Sequence, residues 1–163
     1  MARKVTSNEL RLDGIEALPG VEAAYTVEFD LRKSLVDPVG QPNTIFLKPR
    51  GVRLVANDSV GTLLGTVSPA LIESAVCAEK IDMNSGNAVY VYEGDTLDET
   101  LLGDDADEPA NADDISPYTV ANVNYNEESE SYEFVAGYLP ACPYTVGVSC
   151  LALNDEPETD ENA

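Results

Sequence analysis

The feature that most constrains this chain is the alternation of apolar and polar residues in several short segments. In residues 22–30, Tyr25, Val27 and Phe29 alternate with polar side chains. Two later segments repeat the pattern: 131–138 (Tyr132, Phe134, Ala136, Tyr138) and 144–152 (Tyr144, Val146, Val148, Cys150). Residues 88–92 (AVYVY) are a run of small, β-branched and aromatic residues that is also a clear strand signal. A period of two places alternate side chains on opposite faces of a strand. These segments therefore predict β-strands.

Further short strands are predicted at 45–48, 52–56, 62–67 and 118–125, separated by turns rich in Gly, Pro and Asn. Residues 69–76 are the best candidate for a helix. We therefore predict an all-β fold, an antiparallel β-sandwich preceded by a few strands of a second β region, with polar turns joining its later strands into a meander. The expected domains are residues 1–60, residues 61–153 and an acidic, disordered tail at 154–163.

The composition excludes several functions. The chain has 9 Lys and Arg against 30 Asp and Glu, a formal net charge of -21, and it has no histidine. The charge repels nucleic acids and anionic membrane surfaces, and no segment approaches the roughly 18 apolar residues of a spanning helix. Without histidine the chain lacks the commonest general base and zinc ligand. We expect no nucleic-acid partner, no direct membrane insertion, no cofactor and no catalysis.

Three cysteines, Cys77, Cys142 and Cys150, allow one disulfide and one remaining thiol. If residues 144–152 form one strand, Cys142 and Cys150 lie roughly 25 Å apart, beyond the limit of about 7 Å for bridged Cα atoms. Cys150 is predicted on the inward face of its strand, and Cys77 in a second short strand-like segment. We therefore predict a bond between Cys77 and Cys150. The alternative is three reduced thiols in a cytosolic protein.

The acidic stretch at residues 94–116 is poor in large apolar side chains, so it predicts a long solvated loop. Its carboxylates can also supply oxygen ligands to Ca²⁺. The candidate ligands are Asp104, Asp105, Asp107, Asp113 and Asp114. The stretch lacks the glycine and ligand spacing of an EF-hand, which favours a solvated run of charge.

Tyr90 and Tyr92 lie on one face of a predicted strand. Exposed tyrosines at such positions would form a platform on which a glycan can stack. Tyrosine is also common inside strands, and the chain has no tryptophan. Packing within the protein is therefore the favoured prediction for both side chains.

Two stretches resemble known families. The first comprises residues 25–35 (YTVEFDLRKSL), Gly40-Gln41-Pro42, Leu47-Lys48-Pro49, Arg53-Leu54-Val55, Asn57-Asp58 and Val60-Gly61. It resembles the latter half of the DUF4382 family, bacterial proteins that are commonly lipoproteins of the cell envelope. The resemblance implies export, and it brings no catalytic residues. The N-terminal part of such a domain and its lipid-attachment motif are absent from the sequence, which indicates a piece of a longer lipoprotein.

The second stretch comprises residues 88–94 (AVYVYEG) and 138–146 (YLPACPYTV). It is similar to the small β-sandwich of the transthyretin-like and carbohydrate-binding-like folds, in which a Leu-Pro-Ala-Gly-x-Tyr-Thr turn leads into a strand. Cys142 stands where that turn normally has glycine. The resemblance thus implies that residues 61–153 form a transthyretin-like sandwich.

Together these observations predict a non-catalytic structural or binding protein of the cell envelope or the extracellular space. The alternative is a surface module that binds carbohydrate or Ca²⁺. A hydrolase that uses two of the thirty acids is a third hypothesis, for which the sequence nominates no pair. The expected partner is a surface glycan or another envelope protein.

Overall fold

The structure is a computed structural model that describes residues 4–6, 20, 22–36, 44–48, 51–78, 80–103 and 114–153. Strands dominate the described residues, and the helices are single turns, so the predicted all-β fold is confirmed. The chain divides into two compact units, Met1–Val60 and Gly61–Ala163.

The N-terminal unit contains two small sheets. Its elements are β1 (Lys4–Thr6), β2 (Tyr25–Phe29), α1 (Leu31–Ser34), β3 (Leu35–Val36), β4 (Thr44–Leu47) and β5 (Val52–Ala56). One sheet has the order β1-β4-β3, with β1 parallel to β4, and the other pairs β2 with β5 antiparallel. Asp30 caps α1, because its carboxylate accepts from the backbone N–H groups of Arg32 and Lys33.

Few apolar side chains are buried in the described part of the N-terminal unit. Val55 is 8% exposed, whereas Val27 and Phe29 are 40% and 43% exposed. The predicted inward face of β2 is therefore substantially in solvent. The pairing of β2 with β5 also holds an ion pair between Glu28 and Arg53, which lie opposite each other in the register.

The C-terminal unit is built on one five-stranded sheet. Its elements are β6 (Val60–Val67), α2 (Pro69–Ile72), β7 (Ala88–Glu93), a 3₁₀ turn (Glu99–Leu101), β8 (Thr119–Asn126), β9 (Ser131–Pro140) and β10 (Tyr144–Ser149). The strand order is β10-β7-β8-β9-β6. The meander predicted for the strands at 118–125, 131–138 and 144–152 was wrong at its last strand. Strands β8 and β9 pair antiparallel, but β10 pairs with β7, which gives β10, β7, β8 and β9 the 4-1-2-3 order of a Greek key.

The sheet curls around its core. Strand β8 pairs with β7 through Thr119–Asn122 and with β9 through Val123–Asn126, so its two halves belong to different pairings. Only residues 141–143 link β9 to β10, although β10 lies on the far side of β7. So short a link can join these strands only if the sheet bends back on itself.

The concave apolar side of the sheet holds the larger core. It combines side chains from β6 to β9 with the single turn of α2: Val67, Ile72, Val89, Val91, Ala121, Val123, Tyr132, Phe134, Ala136 and Leu139. Gly65 permits the close approach of β6, because a Cβ at this position would lie 2.4 Å from Cε1 of Phe134. Ile72 is completely buried, so α2 contributes one essential side chain to this core.

The opposite side of the sheet is covered over only part of its width. Ala88, Tyr90, Tyr92 and Ala152 form a second buried cluster against Leu97, Leu102, Ile115 and Val120. The hydroxyl of Tyr92 donates to the carbonyl of Gly103 at 2.8 Å. The segments on either side of residues 104–113 thus pack over β7, so the prediction of one solvated loop over residues 94–116 was wrong for them. On the remainder of this face Asn122 and Asn124 of β8 are exposed, and no described segment covers them.

Three further local predictions were wrong. Residues 74–78 form turns rather than a strand-like segment. Tyr138 has a positive φ of 57° and is 39% exposed, while Leu139 is buried in its place, so β9 changes face at this residue. Val146 and Val148 are 47% and 41% exposed, because β10 is an edge strand whose outer side no described strand covers.

Candidate functional site

The uncovered part of the sheet carries a row of asparagines. Asn122, Asn124 and Asn126 occupy alternate positions of β8, so they project from the same face, and Asn122 and Asn124 are exposed. Asparagine is disfavoured in strands because its amide competes with the backbone for hydrogen bonds. Three asparagines on one face lower the intrinsic strand propensity of β8, and exposed asparagines add no side chain to the core. Asn126 has a role within the fold, because its Oδ1 accepts from the backbone N–H groups of Glu128 and Ser129 in the β8–β9 turn. The exposed amides of Asn122 and Asn124 are therefore the candidates for contact with a ligand.

Glu133 completes the row from the neighbouring strand. It lies directly opposite Asn124 in the register of β8 and β9. Its carboxylate accepts from Asn126 Nδ2 at 3.0 Å, from Ser129 Oγ at 2.5 Å and from Ser131 Oγ at 2.9 Å. These donors come from β8, the β8–β9 turn and β9, so they fix the carboxylate in one orientation.

The same hydrogen bonds control the charge of Glu133. The bond from Ser129, followed by those from Asn126 and Ser131, lowers the pKa of this carboxyl below its ordinary value. Glu133 is therefore a fixed, ionised hydrogen-bond acceptor near neutral pH. A general acid needs the opposite property, a carboxyl that keeps its proton.

The asparagines and Glu133 line a shallow cleft of about 670 Å³. Tyr125, which is 39% exposed, and Val135, which is 61% exposed, also line it. The ring of Tyr125 packs against that of Tyr132 with centroids 5.0 Å apart. The cleft thus combines amide donors and acceptors, two acidic side chains, Glu127 and Glu133, and a small apolar contribution. We call this set of residues the asparagine face.

The tyrosines predicted as a stacking platform lie elsewhere. Tyr90 and Tyr92 are each 4% exposed and belong to the buried cluster against Leu97 and Leu102. The prediction that a glycan stacks on these two rings was therefore wrong, because residues 94–103 cover that part of the strand. Packing within the protein was the favoured alternative, and it is what the structure has.

The candidate calcium ligands cannot be placed together. Asp104, Asp105, Asp107 and Asp113 lie outside the described residues, and Asp114 is half-buried beside Gly103. The backbone closes the base of the loop, since Gly103 N–H donates to Ile115 O at 3.0 Å and Ile115 N–H donates to Leu101 O at 2.7 Å. Among the described residues no group of three or more metal-ligating side chains occurs.

The structure contains the disulfide that the strand spacing favours. Cys77 is bonded to Cys150, with Cα atoms 5.8 Å apart, and Cys142 is a free, exposed thiol. The bond joins the turn after α2 to the end of β10 across a sequence separation of 73 residues. It therefore fastens the edge strand to the segment that covers the larger core.

A second cavity of about 460 Å³ lies beside this disulfide. Its lining is mainly apolar and includes Ile81, Leu151 and Leu153. Lys80 and Asp82 also line it, and Lys80 is held by a bond from its Nζ to Asn87 Oδ1 at 2.6 Å. This cavity has no row of polar groups comparable to the asparagine face.

Sequence reasoning missed the asparagine face. The run Asn122-Val123-Asn124-Tyr125-Asn126 shows the alternation plainly, but it was interpreted only as a strand. Three asparagines at a period of two were the available signal. The position of Glu133 opposite Asn124 required the register, which the sequence does not give.

Comparison of the chain with protein-family models, with curated proteins and with solved structures finds no match. The resemblances to the DUF4382 family and to transthyretin-like sandwiches therefore stay predictions based on the quoted residues. No helix in the described part of the chain has the length and apolarity needed to cross a membrane.

Proposed function

We propose that this chain is a non-catalytic binding module of the cell envelope, and that the asparagine face binds an uncharged saccharide. The observation that carries the proposal is the row of Asn122, Asn124 and Asn126 beside the oriented carboxylate of Glu133. The proposal keeps the predicted class of function and moves the site from Tyr90 and Tyr92 to the uncovered face of the sheet.

The chemistry of the asparagine face fits hydroxyl groups. Each sugar hydroxyl both donates and accepts a hydrogen bond, and the amides of Asn122 and Asn124 each offer two donors and an acceptor. Asn126 is already engaged, since its Oδ1 accepts from the N–H groups of Glu128 and Ser129 and its Nδ2 donates to Glu133. An ionised carboxylate adds a strong acceptor, since hydrogen bonds to charged groups are shorter and stronger than neutral ones. Amides at alternate positions of a strand are spaced about 6.6 Å apart, which spans a single sugar ring.

The charge of the chain selects among saccharides. With a formal net charge of -21, the protein repels anionic glycans over most of its surface. The asparagines carry no charge, and Glu133 is ionised. A neutral oligosaccharide therefore binds without the electrostatic cost that an acidic polysaccharide would meet.

Two further observations support a location outside the cytoplasm. A structural disulfide such as Cys77–Cys150 is stable in oxidising compartments and rare in reducing ones. The resemblance of the first unit to DUF4382 lipoproteins points the same way. Mass spectrometry of the native protein from fractionated cells tests this half of the proposal. A product in the envelope fraction with Cys77 bonded to Cys150 supports it, and a cytosolic product with three free thiols contradicts it.

A glycan array probed with the full chain tests the binding half. We expect retention on neutral oligosaccharides, and the substitution Asn124→Ala should weaken binding about tenfold, because one amide–hydroxyl contact contributes about 1 to 1.5 kcal/mol. Thr66→Ala, on an exposed position of β6 outside the cleft, is the matched control and should bind like the wild type. Equal binding by the two variants would contradict the site, and an array without neutral hits would contradict the function.

A further inference from the structure

The outer edge of β10 has the properties of an interface. Val146 and Val148 lie opposite Val91 and Val89 in the register, so they share the core-facing side of the sheet. Val89 and Val91 are completely buried, yet Val146 and Val148 are 47% and 41% exposed. The apolar side of the sheet therefore continues onto β10 but is not covered there by described residues.

The register of β10 with β7 also fixes which backbone N–H and C=O groups of β10 point towards the open edge of the sheet. Gly94 N–H donates to Pro143 O at 2.9 Å, and Tyr118 N–H donates to Val91 O at 2.7 Å. Hydrogen-bonded pairs alternate along an antiparallel ladder, so Thr145, Gly147 and Ser149 direct their backbone groups towards β7. The N–H and C=O groups of Val146 and Val148 consequently point away from the sheet, along its open edge.

We propose that β10 pairs with β10 of a second copy of this chain, antiparallel and centred on Gly147, to form a two-fold symmetric dimer with a continuous ten-stranded sheet. In this register Val146 lies opposite Val148 of the second copy, and the two exchange both backbone hydrogen bonds. Four valines then form one apolar strip. On the other side of the sheet Thr145 lies opposite Ser149 of the second copy, a pairing of two hydroxyls that strands favour.

The charge distribution identifies a second copy as the occupant. The chain has 30 acids, yet residues 134–154 contain no charged residue. This run includes all of β10, so two strongly acidic copies can pair along this strand without bringing charged side chains of β10 together. A basic partner would find no carboxylate on the strand itself. Natural edge strands are usually protected by charges or proline, and β10 has neither.

The other edge of the sheet differs from β10. In β6 the core-facing Val67 is 5% exposed and Leu63 is half-buried, so its apolar side is already covered. Leu64 is 69% exposed but faces the opposite side of the sheet, where it stands beside threonines. The β6 edge therefore offers no matching apolar strip.

Sedimentation of the full chain over a range of protein and salt concentrations tests the proposal. We expect a monomer–dimer equilibrium that shifts towards dimer as salt screens the repulsion between the copies. Val148→Pro removes an outward N–H that the monomer does not use, so it should raise the dimer dissociation constant by more than about tenfold. Val146→Lys should also raise the dimer dissociation constant, because it places a charge in the valine strip. This variant replaces Val148→Pro in the test if the proline variant does not fold.

Two control variants separate this interface from other associations. Leu64→Lys makes the same change on the β6 edge, and Cys142→Ser removes the exposed thiol; both should remain dimeric. The proposal is overturned if the wild type stays monomeric at millimolar concentration, if the dimer needs Cys142, or if Leu64→Lys dissociates it. Growth into longer polymers would also overturn it, because a two-fold interface closes on itself.

Discussion

In their described residues, the two units of this chain use the same kind of strand but bury very different amounts of apolar surface. Among the described residues of the N-terminal unit, the large apolar side chain that is buried is Val55. Val27, Phe29 and Leu31 in the same unit are 40% to 57% exposed. The C-terminal unit has two apolar clusters on opposite sides of one sheet, and a disulfide. Because burial of apolar surface supplies most of the favourable free energy of folding, we expect the C-terminal unit to be the more stable of the two.

The largest expected effect is seen when the units are separated. A cut in the turn at Asn57–Ser59 leaves β5 and β6 intact. We expect residues 58–163 to fold alone with a cooperative thermal transition, since both clusters lie within them. Residues 1–57 should show no cooperative transition, because a chain of this size with little burial is marginal. Circular dichroism of the two fragments is the measurement, and cooperative melting of the shorter one would break the comparison.

Loss of the disulfide should have the next largest effect. The double substitution of Cys77 and Cys150 by serine opens a loop with a sequence separation of 73 residues, and the loop-closure relation gives a loss of about 4 kcal/mol in the free energy of unfolding. Urea denaturation of the full chain measures it. Cys142→Ser is the matched control and should change the free energy of unfolding little. If Cys142→Ser lowers the free energy of unfolding as much as the double variant does, the disulfide does not have the stabilising role described here.

A smaller effect is expected from the core side of α2. Ile72 is completely buried and Leu71, beside it, is 54% exposed. Ile72→Ala should cost about 3 kcal/mol of unfolding free energy because it leaves a cavity in the larger core. Leu71→Ala should change this free energy by less than about 0.5 kcal/mol. Urea denaturation compares the two variants, and similar values would contradict the packing of α2.

The smallest effect concerns the charge on Glu133. Its native pKa lies below its ordinary value because of the bond from Ser129 and then those from Asn126 and Ser131. The ionised Glu133 therefore contributes to the free energy of unfolding. This contribution is fully present above the pKa of Glu133 in the unfolded chain, and it is lost as the pH falls through the lower pKa of the native state. The stability of the C-terminal unit should therefore decline on acidification below about pH 4.5, the ordinary value for this group.

NMR titration of the Glu133 carboxyl carbon tests this cause. Ser129→Ala should raise the pKa of Glu133 more than Ser131→Ala does, since the bond from Ser129 has the largest influence. An unchanged pKa in Ser129→Ala would show that the carboxylate is not held as described. A wild-type pKa at the ordinary value would contradict its fixed ionisation on the asparagine face.

Much of the fold could be predicted from the sequence because the period-two alternation depends on local residues. Strands β5, β7 and β8 lie at or within one residue of their predicted limits. The position of β10 could not be predicted in this way. Alternation gives the face of each side chain, but the exposure of Val146 depends on whether a further strand lies beyond β10, which is a property of the sheet order.

The candidate site shows the same limit. The Cys77–Cys150 pairing followed from excluding a bond along one strand, an argument that needs only distances within the strand. Tyr90 and Tyr92 were open to two interpretations because their burial depends on whether residues 94–103, which follow the strand, fold back over it, and local alternation does not show this. Glu133 joins the asparagines only through the register of β8 with β9.

The central claim is that the asparagine face of the C-terminal unit binds a neutral saccharide. NMR titration of the isotopically labelled full chain with neutral oligosaccharides tests it most directly. We predict saturable shift changes in the side-chain amides of Asn122, Asn124 and Asn126 and in the carboxyl carbon of Glu133, with the signals of the N-terminal unit unchanged. Shift changes that spread over both units, or that spare these four side chains, would contradict the claim.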